Sequence, residues 1–153
     1  VSLLAGIDLQ TGDAIPLVRD KHSSKEYIEF LKLLDTKYPK KDKIRLVLDN
    51  LKVHSSLETR KYLATVPGRF EFVFTPKHGS WLNLIEGFFS KLTRQSLKGI
   101  RVKTKEELVQ RIYKYFDEIN EDPVIYHWKY KLEEIDSSEA LVVDTLPLKS
   151  PVN

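Results

Sequence analysis

The sequence predicts an α/β fold, a mixed sheet with parallel strands flanked by helices, and three observations carry that prediction. Strand-like and helix-like segments alternate through the first half of the chain, the order that builds parallel strands. The stretch from Ile44 to Leu48 is apolar but for Arg45, as suits a strand covered on both faces. From Trp81 onward the apolar residues recur at helical spacing. With 153 residues, 41% of them hydrophobic and 31% charged, the chain can bury one ordinary core.

Taken in order, Val1 to Gln10 reads as a strand, Thr11-Gly12-Asp13 as a turn, and Ala14 to Val18 as a second strand of a hairpin, with Pro16 favouring a sheet edge. Ser23-Ser24 followed by Glu26 marks a helix start, and Tyr27, Phe30, Leu31, Leu34 and Tyr38 give it an apolar face that Pro39 ends. A basic loop leads into the Ile44 strand. Ser55 or Ser56 caps a short helix through Leu63, and Phe70 to Phe74 is a further strand. Leu82, Ile85, Phe89 and Leu92 share one helical face. Lys103 to Asn120 is the last predicted helix, capped by Thr104, with Leu108, Ile112, Tyr115, Phe116 and Ile119 inward. Residues 1–135 are expected to form one domain, and 136–153, which lack a clear pattern, a flexible or partner-dependent tail.

Composition excludes several functions. No run approaches the roughly 18 apolar residues that a membrane span needs, so no membrane partner is expected and the chain reads as soluble and intracellular. The absence of cysteine excludes thiolate metal sites and a thiol nucleophile, leaving oxygen or imidazole to hold any metal. A formal charge of +3 allows a nucleic-acid partner without demanding one. Positive charge clusters at Lys37 to Lys43 and at Lys91 to Lys105; the bland reading of each is solvated surface.

Asp49 ends the Ile44 strand, where α/β sheets place ligand sites. A carboxylate there is costly to desolvate, so it caps the next element, is paired, or holds a cation. Glu86 lies in a polar seam of Asn83, Ser90 and Arg94, beside the apolar face of its helix. By itself it reads equally well as a carboxylate placed by the helix dipole. Gly87, which costs a helix roughly 1 kcal/mol relative to alanine, implies a close approach beside Glu86.

The words "LVLDNLKVHSS" and "FTPKHGSWLNLIEGFFSKLTR" resemble the DDE-superfamily transposases, specifically the mariner-like bacterial insertion-sequence group, whose catalytic domain is ribonuclease-H-like. The likeness runs from about Leu3 to Trp128, and its most specific part is the Pro-x-x-x-Ser-Trp-Leu-Asn-x-x-Glu arrangement from Pro76 to Glu86. The resemblance implies DNA strand cleavage and strand transfer at transposon ends, with transposon-end and target DNA as partners. It implies a DNA-associated protein of the prokaryotic cytoplasm; a homo-oligomer is expected from an unpaired strand edge. Asp49 and Glu86 match the second and third carboxylates of the family triad and would hold Mg²⁺ or Mn²⁺. His54 follows Asp49 in the family pattern, as a group for proton traffic or phosphate contact or as a structural hydrogen bond. His78 has no counterpart. Lys91, Arg94, Lys98 and Arg101 would grip the DNA backbone.

The family's first catalytic Asp lies on a strand upstream of the hairpin, and that strand is expected to be missing here, the chain beginning at Val1. Asp8 is a weak substitute, just before the turn. An isolated chain lacking that acid is expected to be inactive, and its unpaired hairpin to associate. The alternative is a catalytically inactive remnant acting only in DNA binding or assembly. An unrelated nuclease of the same fold is disfavoured by Ser80-Trp81-Leu82-Asn83.

Overall fold

The computed structural model describes residues 1–49, 56–75, 80–97, 102–123 and 139–148, and these build a five-stranded mixed sheet between two layers of helix. The elements run β1 (Ser2–Asp8), β2 (Ala14–Arg19), α1 (Ser24–Lys37), β3 (Ile44–Asp49), α2 (Leu57–Thr65) and β4 (Phe70–Thr75). They continue with α3 (Ser80–Leu92), a π-helical turn (Thr93–Leu97), α4 (Lys105–Asn120) and β5 (Glu139–Pro147). The predicted ribonuclease-H-like class, a mixed sheet with helices on both faces, is what these elements form.

Local chemistry starts and stops the elements where the residues indicate. Gly12, at φ 80°, turns β1 into β2 in a conformation that other residues adopt reluctantly. The Ser56 hydroxyl accepts from Thr59 N at 3.3 Å to open α2, and the Thr104 hydroxyl accepts from Glu107 N at 3.1 Å to open α4. At α1 the Ser23 hydroxyl instead binds the Glu26 carboxylate. Ser24 Oγ donates to Ser56 Oγ at 2.7 Å, tying the starts of α1 and α2 together.

The sheet order is β2-β1-β5-β3-β4. β1 is antiparallel to β2 and β5, whereas β3 is parallel to β4 and β5. Within the stretch expected as a patternless tail, Glu139–Pro147 thus supplies the central strand of the sheet. The physical reason is burial: Ala140, Leu141, Val142 and Val143 are at most 2% exposed, so a strand covered on both faces lacks the alternation that would mark it. Ala140 and Val142 join Leu3, Ala5, Ile7 and Val47 under α3 and α4; Leu141 and Val143 join Leu46 and Leu48 under α1, in one cluster with its Phe30. β1 therefore lies inside the sheet, and the association expected from an unpaired hairpin loses its cause.

The two sheet edges differ. On β2 the alternate residues Ala14, Pro16 and Val18 face away from β1. Ala14 N donates to Asn120 Oδ1 at 2.9 Å, Val18 N donates to the Tyr113 hydroxyl at 3.0 Å, and Pro16 has no N–H. Asn120 Nδ2 also donates to Ala14 O at 2.8 Å, so α4 closes this edge. β4, at the other edge, reads Phe-Glu-Phe-Val-Phe-Thr, without proline and with one charged residue.

Candidate active site at the carboxyl edge of the sheet

Because β3, β4 and β5 run parallel, their carboxyl ends open at one edge. Asp49 is level with Thr75 on β4. The register Val47↔Val142, carried on by two residues, brings the Asp49 main chain level with Asp144, one strand spacing or about 5 Å away. α3 begins just beyond β4 and packs across β5. There Glu86 and Asp144 line one open cavity of about 640 Å³, together with Ser90, Thr93, Arg94 and Thr145. Glu86 is exposed and Asp144 half-buried, with Asp144 Oδ1 accepting from Thr145 N at 2.8 Å.

Asp144 is the residue that sequence reasoning missed. A signal existed: Leu141-Val142-Val143-Asp144 repeats the apolar-run-then-acid pattern of Leu46-Val47-Leu48-Asp49. Its place near the chain end, beyond a long stretch without periodicity, hid it.

Of the residues singled out from sequence, Glu86 and Arg94 share this cavity. Lys91 instead lines a second cavity, of about 210 Å³, with Ile7, Gly12, Phe88, Tyr115 and Asp122. His54, His78, Lys98 and Arg101 lie outside the described residues, as does the Asp49 side chain. Asp8 has a structural task. Its Oδ1 accepts from Gln10 N at 2.8 Å and Thr11 N at 3.1 Å, and its Oδ2 accepts from the Tyr38 hydroxyl at 2.7 Å. It is 1% exposed and lies three residues along β1 from Ala5, the partner of Asp144, hence about 10 Å toward the opposite sheet edge.

Among the described residues the close approach expected at Gly87 is not found: Gly87 is exposed, and a Cβ added there meets none of them within 4 Å. Gly87→Ala is accordingly expected to stabilise the chain by about 0.5–1 kcal/mol, read as a higher urea midpoint with an unchanged slope.

The donor set can be tested against a cation. Glu86 and Asp144 offer carboxylate oxygens, with the Asp49 main chain alongside, a chemistry that fits Mg²⁺ or Mn²⁺ rather than a softer metal. Among the described residues no three Asp, Glu, His or Cys side chains gather closely enough to hold a metal ion. Among those residues, too, no helix is long and apolar enough to cross a membrane.

The family model of the DDE superfamily endonucleases matches residues 1–109. Across 113 residues the chain is 24% identical to the protein described as insertion element IS630 uncharacterized 39 kDa protein, from Shigella sonnei. That alignment covers 74% of this chain and 33% of the relative, so the chain spans about a third of the length of the curated relative it matches. No solved structure matches. With more than two thirds of its residues inside the family model, the chain belongs to the DDE superfamily of endonucleases.

Proposed function

We propose that the chain is a catalytic part of an insertion-sequence transposase, cleaving and transferring DNA strands with Mg²⁺ or Mn²⁺ held by Asp49, Glu86 and Asp144. The observation that carries this reading is the single cavity into which the central strand and α3 bring Asp144 and Glu86, level with the end of β3. Family membership and the likeness to an insertion-element protein support it. A divalent cation bound there would supply what phosphodiester chemistry needs, an activated water or 3′-hydroxyl and a stabilised leaving oxygen. The protein's own part is to bind and orient. Arg94, on the same wall as the acids, would fix a backbone phosphate by charge, and the Ser90 and Thr145 hydroxyls can donate to its oxygens. His54 is assigned proton traffic or phosphate contact, and Lys98 and Arg101 phosphate binding, all three from the sequence alone.

The test is incubation of the chain with end-labelled duplex DNA, with Mg²⁺, with Mn²⁺ and with a chelator. Cleavage that needs the cation supports the reading. DNA binding with no cleavage under any condition would replace it with that of a remnant that only holds DNA. Arg94 gives a separate check. Arg94→Ala is expected to weaken DNA binding and to lower the slope of log affinity against log salt by about one unit, whereas Lys91→Ala, at the other cavity, changes the slope less. Equal slopes for wild type and Arg94→Ala would remove Arg94 from the DNA surface.

A further inference from the structure

We infer that two copies of this chain pair edge to edge through β4, in an antiparallel arrangement about a two-fold axis centred on Phe72. The inference starts from the difference between the two sheet edges. α4 side chains and Pro16 close β2, whereas β4 stands last in the sheet of the described residues, with an apolar, proline-free sequence. An edge strand of that kind is a template for another strand.

The sequence of β4 says which strand fits. Phe70, Phe72 and Phe74 lie on one face as a stacked ladder, with ring centroids 6.4 and 6.3 Å apart and planes inclined by 22° and 19°. Phe70 and Phe72 pack on the core beneath α1 and are half-buried, while Phe74 is 48% exposed. Residues directly opposite in an antiparallel pair project to the same face. A two-fold axis through Phe72 sets Phe72 against itself and Phe70 against Phe74 of the second copy, joining two ladders of three rings into one of six. On the other face it sets Glu71 against Val73, so no like charges oppose one another. Glu71 is in any case neutralised within its own chain, by Arg45 Nε at 2.8 Å and Lys43 Nζ at 3.9 Å. The Phe-Glu-Phe-Val-Phe pattern is thus self-complementary, the requirement of an isologous interface. The product is one continuous ten-stranded sheet. Its two Asp49 positions would lie about 25 Å apart, from three strand spacings and six residues of rise.

The chain has no cysteine, which makes the register directly readable. A residue on the two-fold axis meets its own copy, at a Cα separation that a disulfide accepts. Under mild oxidation, Phe72→Cys is expected to give a covalent dimer on a non-reducing gel. Val73→Cys, which would face Glu71, is expected to give little. Without any substitution, light scattering should give twice the 17.8 kDa chain mass at tens of micromolar. Phe74→Lys, a change at an exposed position, should return the mass to that of the monomer with unchanged circular dichroism. A wild-type monomer at all concentrations, or cross-linking of Val73→Cys equal to that of Phe72→Cys, overturns the pairing. None of these readouts involves DNA or a cation, so the result is independent of the proposed activity.

Discussion

Arg69→Ala is expected to lower the stability of the chain by about 3–5 kcal/mol, the range for removing one partner of a buried, hydrogen-bonded charge pair. Arg69 is 6% exposed and sits just before β4, where its guanidinium gathers the end of α1 and the loop that leads to β3. Nε donates to Asp35 Oδ1 at 2.9 Å, Nη2 to Asp35 O at 3.1 Å and to Tyr38 O at 2.8 Å, and Nη1 to the carbonyls of Pro39 and Asp42. The carbonyls at the end of a helix have no partners within it, so losing the guanidinium strands several of them at once. Its own carbonyl accepts from Ile44 N at 2.8 Å, which joins this knot to the start of β3. Arg69→Lys should recover little, because an ammonium cannot reproduce the planar fork. Urea unfolding measures both variants, and a loss under 1 kcal/mol for the alanine change would contradict this account.

The same knot carries a pH dependence. Hydrogen bonds from Lys40 and, after it, Arg69 hold the Asp35 carboxyl below its ordinary value of 3.8. The folded-state value is depressed, so the stabilisation is fully present above about pH 4 and is lost as pH falls through the folded-state value. Arg69→Ala and Lys40→Ala should each flatten the fall in stability below pH 4.

Asp144→Asn is expected to abolish cation-dependent DNA cleavage, by about a hundredfold or more, while leaving the fold intact. The change is isosteric, and Oδ1 can still accept from Thr145 N. What it removes is a negative charge from the wall shared with Glu86 and Arg94. Calorimetric titration with Mn²⁺ gives the accompanying readout: Asp49→Asn, Glu86→Gln and Asp144→Asn should each weaken binding, and Asp20→Asn, an exposed acid paired with Lys105, should not. If Asp144→Asn binds Mn²⁺ and cleaves DNA as the unsubstituted chain does, Asp144 belongs to the strand alone and the site loses its third acid.

Much of this molecule could be read from local residue chemistry. The hairpin about Gly12, the caps Ser56 and Thr104, the strands β3 and β4, and the inward Ile85, Phe89 and Leu92 of α3 all follow from short-range signals, and the structure has each of them. β5 could not be read in this way. Its four buried residues offer no period, and what makes them a strand is pairing with Ser2–Asp8 and Ile44–Val47, far off in sequence. The candidate site divides along the same line. Asp49 and Glu86 stand in recognisable words, whereas Asp144 becomes legible only when β5 is laid beside β3. Gly87 differs: a close approach was inferred from its helix cost, and none of the described residues comes within 4 Å of a Cβ added there.

The ends of the described chain meet. The Val1 amino group donates to Leu148 O at 3.0 Å and Leu148 N donates to Val1 O at 2.8 Å, across 147 positions of sequence. Contacts at such a separation carry a large loop-closure entropy, and folding slows as they come to dominate the topology. The hairpin β1–β2 and the β3–α2–β4 unit each close over short spans and can form early; α1 packs against both, but among the described residues their strands are joined into one sheet only by β5. Refolding is therefore expected in milliseconds to seconds rather than microseconds, with β5 amides the last to gain protection from hydrogen exchange. Completion of the sheet and arrival of Asp144 level with the Asp49 main chain are the same kinetic step, so a chain that has not finished folding lacks the cavity that Asp144 and Glu86 share.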